Sequence, residues 1–170
     1  KCILNTKTKP LFLPKKIEMI QRIQTLYLVN ALILIGLLFC VNLGEIAVLE
    51  KIYSFSLNGI IDSTAGKVII PSWYLLVVTV TIILLQIITI FSYKNRKRQI
   101  KLAILNVLLI VGLMIACWLF VKTSAKSLDD GVYSLKIFMV APLVAIFFNY
   151  MACLAIKRDE VLIRSVDRIR

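Results

Sequence analysis

The sequence predicts an all-α membrane protein: four transmembrane helices in an antiparallel bundle, both termini inside, with room for a short β-hairpin in the first outer loop. Three observations predict it. Four uncharged apolar runs, residues 23–44, 68–93, 102–121 and 137–156, reach or exceed the roughly 20 residues a helix needs to cross a hydrocarbon core at about 1.5 Å per residue. Hydrophobic residues make up 60% of the chain and the mean hydropathy is +0.90, whereas soluble domains hold roughly 45–50% apolar residues. The third observation is charge placement. Lys15, Lys16 and Arg22 precede the first run; Lys94, Arg96, Lys97, Arg98 and Lys101 separate the second from the third; Lys157, Arg158, Arg164, Arg168 and Arg170 follow the fourth. The other two loops mix Lys51, Lys67, Lys122, Lys126 and Lys136 with Glu45, Glu50, Asp62, Asp129 and Asp130. By the positive-inside rule, both termini and the middle loop are cytoplasmic and the two longer loops face outward.

The chain starts on Lys1, and its first 18 residues mix basic and polar residues with proline, without helical period. Met19 then opens the apolar pattern, so residues 1–18 read as a disordered or artefactual extension and 19–170 as one transmembrane domain. The expected helices are 20–44, 68–93, 101–122 and 135–160, followed by an amphipathic tail to 170. The first run exceeds the roughly 7–15-residue core of a signal peptide, and no small-residue cleavage pattern follows it. It reads as a retained helix.

In the first outer loop, Ile52-Tyr53-Ser54-Phe55-Ser56-Leu57 alternates in polarity and runs into Asn58-Gly59, a favoured hairpin turn pair. Tyr53, Phe55 and Leu57 would share one face. Pro71 falls at the start of the second expected helix, and Pro142, a turn or more inside the fourth, predicts a kink. Trp73, Tyr74 and Trp118 lie near the outer boundary and Tyr27, Tyr93 and Tyr150 near the inner one, as in an aromatic belt.

No Asp, Glu, Lys, Arg or His lies inside any run. Ion-coupled carriers and proton relays keep ionisable groups in the bilayer, so their absence argues against active transport. Each helix instead carries one large amide: Asn30, Gln86, Asn106 and Asn149. Counted from the nearest cytoplasmic charge they lie at similar depth, Asn106 somewhat shallower, and form an expected interhelical polar layer. Ala141, Ala145, Asn149 and Cys153 recur every four residues, Ser72, Thr79 and Gln86 every seven, and Gly112 is spaced to Ala116, which marks bundle-facing stripes. Residues 30–36 also resemble 106–112, in keeping with duplication of a two-helix unit.

Cys2, Cys40, Cys117 and Cys153 lack metal-ligand spacing and the chain has no His, so no metal, cofactor or catalytic residue is expected. The cysteines read as small apolar side chains, with a Cys40–Cys117 bridge as the alternative. The net charge of +12 is assigned to topology and to anionic lipid headgroups at the cytoplasmic face, not to nucleic acid.

At the cytoplasmic rim, Gln21, Arg22, Gln24, Arg96, Asp159, Glu160, Arg164, Asp167 and Arg168 form an expected polar cluster. The segments 19–28, 93–96 with Gln99, and 159–170 that carry these residues resemble the family called domain of unknown function 4293, small four-helix membrane proteins chiefly of Bacteroidetes-type bacteria. The resemblance spans 19–170. It implies a bacterial inner-membrane location and supports Met19 as the start, but supplies no activity. The residues themselves favour a non-enzymatic accessory, assembly or scaffold subunit, with a membrane-protein partner or a second copy as its company. A small-solute channel or carrier using the amide layer is the alternative.

Overall fold

The computed structural model describes residues 14–48, 51–63, 66–128 and 131–167, with 14–22, 94, 159–160 and 162–167 described for their backbone alone. The N-terminal extension, set apart at 1–18 from sequence, therefore falls mostly outside the described residues. Its last part, 14–18, is the opening of the first helix, α1 (Pro14–Leu37). Proline suits that first position, because the amide it lacks would have had no intrahelical partner. The helix ends by tightening: Leu38, Phe39 and Cys40 donate to the carbonyls three residues back, Ile35, Gly36 and Leu37, at 3.2, 3.2 and 3.0 Å.

From there the chain builds a sheet, and the all-α expectation is corrected. β1 (Gly44–Val48), β2 (Lys51–Ser56), β3 (Gly59–Asp62), β4 (Val68–Pro71) and, much later, β5 (Val132–Leu135) make one antiparallel sheet in the order β4-β3-β2-β1-β5. The hairpin expected in the outer loop is its centre. β2 and β3 pair from Tyr53↔Asp62 to Ser56↔Gly59, so the turn residues are Leu57 and Asn58, one position earlier than the Asn58-Gly59 motif suggests. Gly59 has φ +133°, and a Cβ there would overlap the Ile70 carbonyl oxygen of β4. Glycine is thus required both by conformation and by the close approach of the neighbouring strand.

Why did the other strands escape the pattern? Each has four or five residues, too few for a clear alternation. Val68–Pro71 is continuously apolar and merges with the helix that follows. β1 and β5 pair over more than 80 residues of sequence, from Gly44↔Leu135 to Ala47↔Val132. No local signal announces such a partner.

The helices shift accordingly. α2 (Trp73–Phe91) starts five residues later than the apolar run, and a 3-10 turn, Ser92–Lys94, leads into α3 (Arg96–Ser127). A second 3-10 turn, Ile137–Val140, precedes α4 (Ala141–Asp167). Pro142 is thereby the second residue of α4 rather than an interior one. The expected kink is replaced by this tightened entry, where a missing amide costs little.

Among the described residues, three stretches are long and apolar enough to cross a membrane: Trp73–Phe91, Arg96–Ser127 and Ile137–Arg158. The apolar part of α1, Ile23–Leu37, is shorter; at about 1.5 Å per residue it covers about 22 Å of a roughly 30 Å core. α1 as a whole runs over 24 residues, long enough to reach across, so the four helices are unequal in apolar length rather than equivalent. α1 packs mainly on α4 and also on α2, while α3 packs on both α2 and α4, so each helix has two helical neighbours.

The sheet lies over the end of the helices where α1 and α3 finish and α2 and α4 begin. The α2–α3 connection lies at the other end. One continuous apolar cluster joins the two layers: Leu43, Ile46, Phe55, Leu57 and Ile60 from the sheet end meet Ile35, Leu38, Leu75, Phe120 and Val121 from the helix ends. Phe120 is the joint, with its ring 5.6 Å from Phe55 and 5.8 Å from Tyr74. Ser72 adds a polar tie: its hydroxyl donates to the Leu57 carbonyl at 2.8 Å and its amide to the Asn58 carbonyl at 3.3 Å. The start of α2 is thereby pinned to the hairpin turn.

Candidate functional site

Polarity in the helical layer is reversed relative to a water-soluble protein. Facing inward and buried are Gln24 of α1, Thr79, Gln86 and Thr89 of α2, Gln99, Asn106 and Ser124 of α3, and Asn149 of α4. Facing outward are Val77, Leu84 and Ile88 of α2, Ile104, Leu108 and Ile115 of α3, and Leu143 and Phe147 of α4, each more than half exposed. Water does not tolerate a surface of that extent; hydrocarbon does. The aromatic residues fit the same solvent, since Trp73, Trp118, Tyr93 and Tyr150 are exposed near the two ends of the apolar zone.

The inward amides are linked across helices. Gln86 Nε2 donates to the Leu28 carbonyl of α1 at 2.9 Å, and Asn106 Nδ2 of α3 donates to Gln86 Oε1. One glutamine thus ties α1, α2 and α3 together. Asn149 Nδ2 donates within its own helix to the Ala145 carbonyl at 3.0 Å. The amide oxygens of Asn106 and Asn149 are buried and have no hydrogen-bond partner among the described residues. Asn30 is half-buried and stands outside the linked amides, so the resemblance between segments 30–36 and 106–112 does not carry over to equivalent surroundings. Thr79 and Thr89 satisfy their hydroxyls locally, on the Leu75 and Leu85 carbonyls at 2.8 and 2.7 Å.

Of the stripes read from sequence, Ser72, Thr79 and Gln86 are buried, as are Ala145, Asn149 and Cys153, while Ala141 is half-buried. Gly112 is exposed and Ala116 half-buried, so that pair does not form a close helix contact. Thr89, Gln99 and Ser124 are further buried polar residues beyond those expected in the amide layer. Gln99 had a usable signal: it precedes Asn106 by seven residues, two helical turns, on the face that also buries Ala103, Ile110 and Leu113.

Of the expected cytoplasmic cluster, Gln24 is buried and Arg96 half-buried, both at the end of the helices away from the sheet. The side chains of Gln21, Arg22, Asp159, Glu160, Arg164, Asp167 and Arg168 lie outside the described residues. The α4 backbone itself continues as one helix to Asp167. Cys40, Cys117 and Cys153 are free thiols, the first exposed and the others buried. Among the described residues, no three His, Cys, Asp or Glu side chains come together in a way that could hold a metal ion. Among the described residues the interior thus offers two thiols together with amides and hydroxyls, and the amides and hydroxyls donate and accept hydrogen bonds without titrating in the physiological range.

A family model described as a domain of unknown function, DUF4293, matches residues 20–169. The chain belongs to this family. The DUF4293 match includes all five strands as well as the linked amides, so the sheet lies inside the family's domain. No curated protein matches the chain.

Proposed function

We propose that this member of the DUF4293 family is a non-enzymatic accessory or assembly subunit of the bacterial inner membrane that docks a partner through its sheet. Both termini and the α2–α3 connection are cytoplasmic in this reading, and the sheet is outside. Charge supports that orientation: Arg96, Lys97, Arg98 and Lys101 gather at one end, whereas the sheet end balances its charge, as in the Lys136–Glu45 ion pair at 2.6 Å. A bacterial membrane is what resemblance to a chiefly Bacteroidetes-type family implies.

One observation carries the docking role, namely the edge at β5, whose outer side no strand among the described residues pairs. All four of its side chains are exposed, Val132 at 76%. Edge strands present unpaired amides and carbonyls, and exposed apolar ones invite a further strand unless covered. Lys136 donates to the Leu43 carbonyl at 2.9 Å. With the register Glu45↔Ser134 and the alternation of antiparallel ladders, Ser134 also bonds inward to β1, and Tyr133 and Leu135 turn their amides outward.

The test exploits that alternation. Tyr133→Pro removes an outward donor and leaves the internal ladder intact; Ser134→Pro removes an inward one. A photo-crosslinking residue at position 132 should give a discrete protein adduct in cells. Tyr133→Pro should abolish the adduct with the melting temperature unchanged, whereas Ser134→Pro should lower the melting temperature. An adduct that survives Tyr133→Pro, or no adduct at all, counts against docking at this edge.

A further inference from the structure

A cleft of about 490 Å³ lies beside the far end of α4, lined among the described residues by Leu154, Lys157, Arg158 and Val161. These four recur at three- and four-residue spacing, so they share one face of the helix. The same face continues toward the sheet as exposed Tyr150, Phe147 and Leu143, the lipid-facing stripe of α4. An apolar stripe therefore runs directly into two adjacent cations, and an apolar residue, Val161 at 67% exposure, follows one turn later.

We propose that this cleft binds one anionic phospholipid, with its phosphate on Lys157 and Arg158 and its glycerol and upper acyl carbons on Leu154 and Val161. The cleft is shallow, open to its surroundings and lined mainly by apolar surface, as suits a lipid lying along the helix rather than an enclosed ligand. Arginine offers a planar fork of donors matched to phosphate oxygens, and lysine adds a mobile point charge. Both long stems can extend along the apolar wall while their charged heads stay at the headgroup level. Apolar residues on both sides of the cations distinguish this occupant from a free phosphate, which would gain nothing from Leu154 or Val161. The site is separate from the β5 edge, at the opposite end of the helices, and does not depend on the accessory role.

The experiment is native mass spectrometry of the full chain titrated with phosphatidylglycerol and, separately, with phosphatidylcholine. Lys157→Gln/Arg158→Gln is compared with Lys97→Gln/Arg98→Gln, an equal charge loss at exposed positions at the same end of the molecule. One phosphatidylglycerol per chain is expected, retained in preference to phosphatidylcholine. With two cations lost at the headgroup level, its affinity should fall roughly 30-fold in the α4 pair and less than about threefold in the control pair. Val161→Asn should also weaken it several-fold with no change in charge, and excess inorganic phosphate should not displace it. Equal losses in the two pairs, equal retention of both lipids, displacement by phosphate, or full retention by the α4 pair would each overturn the proposal. Unchanged melting temperatures of the exposed variants separate these outcomes from misfolding.

Discussion

Gln86→Leu alone destabilises this protein more than Gln86→Leu combined with Asn106→Leu. The expectation follows from the linked amides. Gln86 accepts from Asn106 and donates to the Leu28 carbonyl, so its removal leaves the Asn106 amide nitrogen buried without an acceptor. The Asn106 oxygen already lacks a partner among the described residues, and Asn106 is wholly buried. An interhelical hydrogen bond in lipid contributes only about 0.6 kcal/mol, but a stranded buried polar group costs about 1–3 kcal/mol. The single variant should therefore lose about 2 kcal/mol. Replacing both amides removes the stranded group along with the bond, and the loss should shrink to under about 1 kcal/mol. Equilibrium unfolding in mild detergent checks this; additive losses would mean that the two amides act independently.

Phe55→Ala should have the largest effect of any single substitution in the sheet. Phe55 has no exposed surface, sits near the turn end of β2 and meets Phe120 of α3 ring to ring. Truncating a fully buried phenylalanine costs about 3–5 kcal/mol through lost burial and the cavity left behind. Here the loss falls on the seam between two layers, so sheet and helix ends should loosen together. Ile52→Ala, on the same strand but 54% exposed, should change stability by less than about 0.5 kcal/mol. Thermal unfolding of the two variants makes the comparison, and similar melting temperatures would mean that the sheet is not anchored through this ring.

How much of this was legible in the residues alone depends on the range of the interaction. Apolar length placed α2, α3 and α4, because a helix satisfies its own backbone and needs no distant partner to be recognised. Helical spacing likewise marked the inward face that carries Thr79, Gln86 and Asn149, and the alternation of residues 52–57 marked β2 and its buried Phe55. The sheet as a whole was not legible. β5 is four residues long and finds its partner β1 only in three dimensions, while Val68–Pro71 is as apolar as the helix it precedes.

The amide site shows the same division. Composition and depth grouped Asn30 with Gln86, Asn106 and Asn149, but hydrogen bonding depends on rotation about each helix axis, and Asn30 is turned only halfway inward. Gln99 was visible in a motif and went unassigned to the interior, although its seven-residue step to Asn106 placed it there. Charge patterning was informative about which end of the helices is basic. It could not show that an apolar stripe on α4 leads into Lys157 and Arg158, which takes the helix itself to display.

The reversed polarity of the helical layer is the claim on which the rest stands, and sidedness tests it most directly. In a cysteine-free background, Ser63→Cys in the turn after β3 and Lys97→Cys at the start of α3, both exposed positions, are treated with a membrane-impermeant maleimide in sealed spheroplasts. Ser63→Cys should label at once and Lys97→Cys only after the membrane is opened. Labelling of both positions in sealed spheroplasts would contradict the claim, because α2 would then not cross the bilayer.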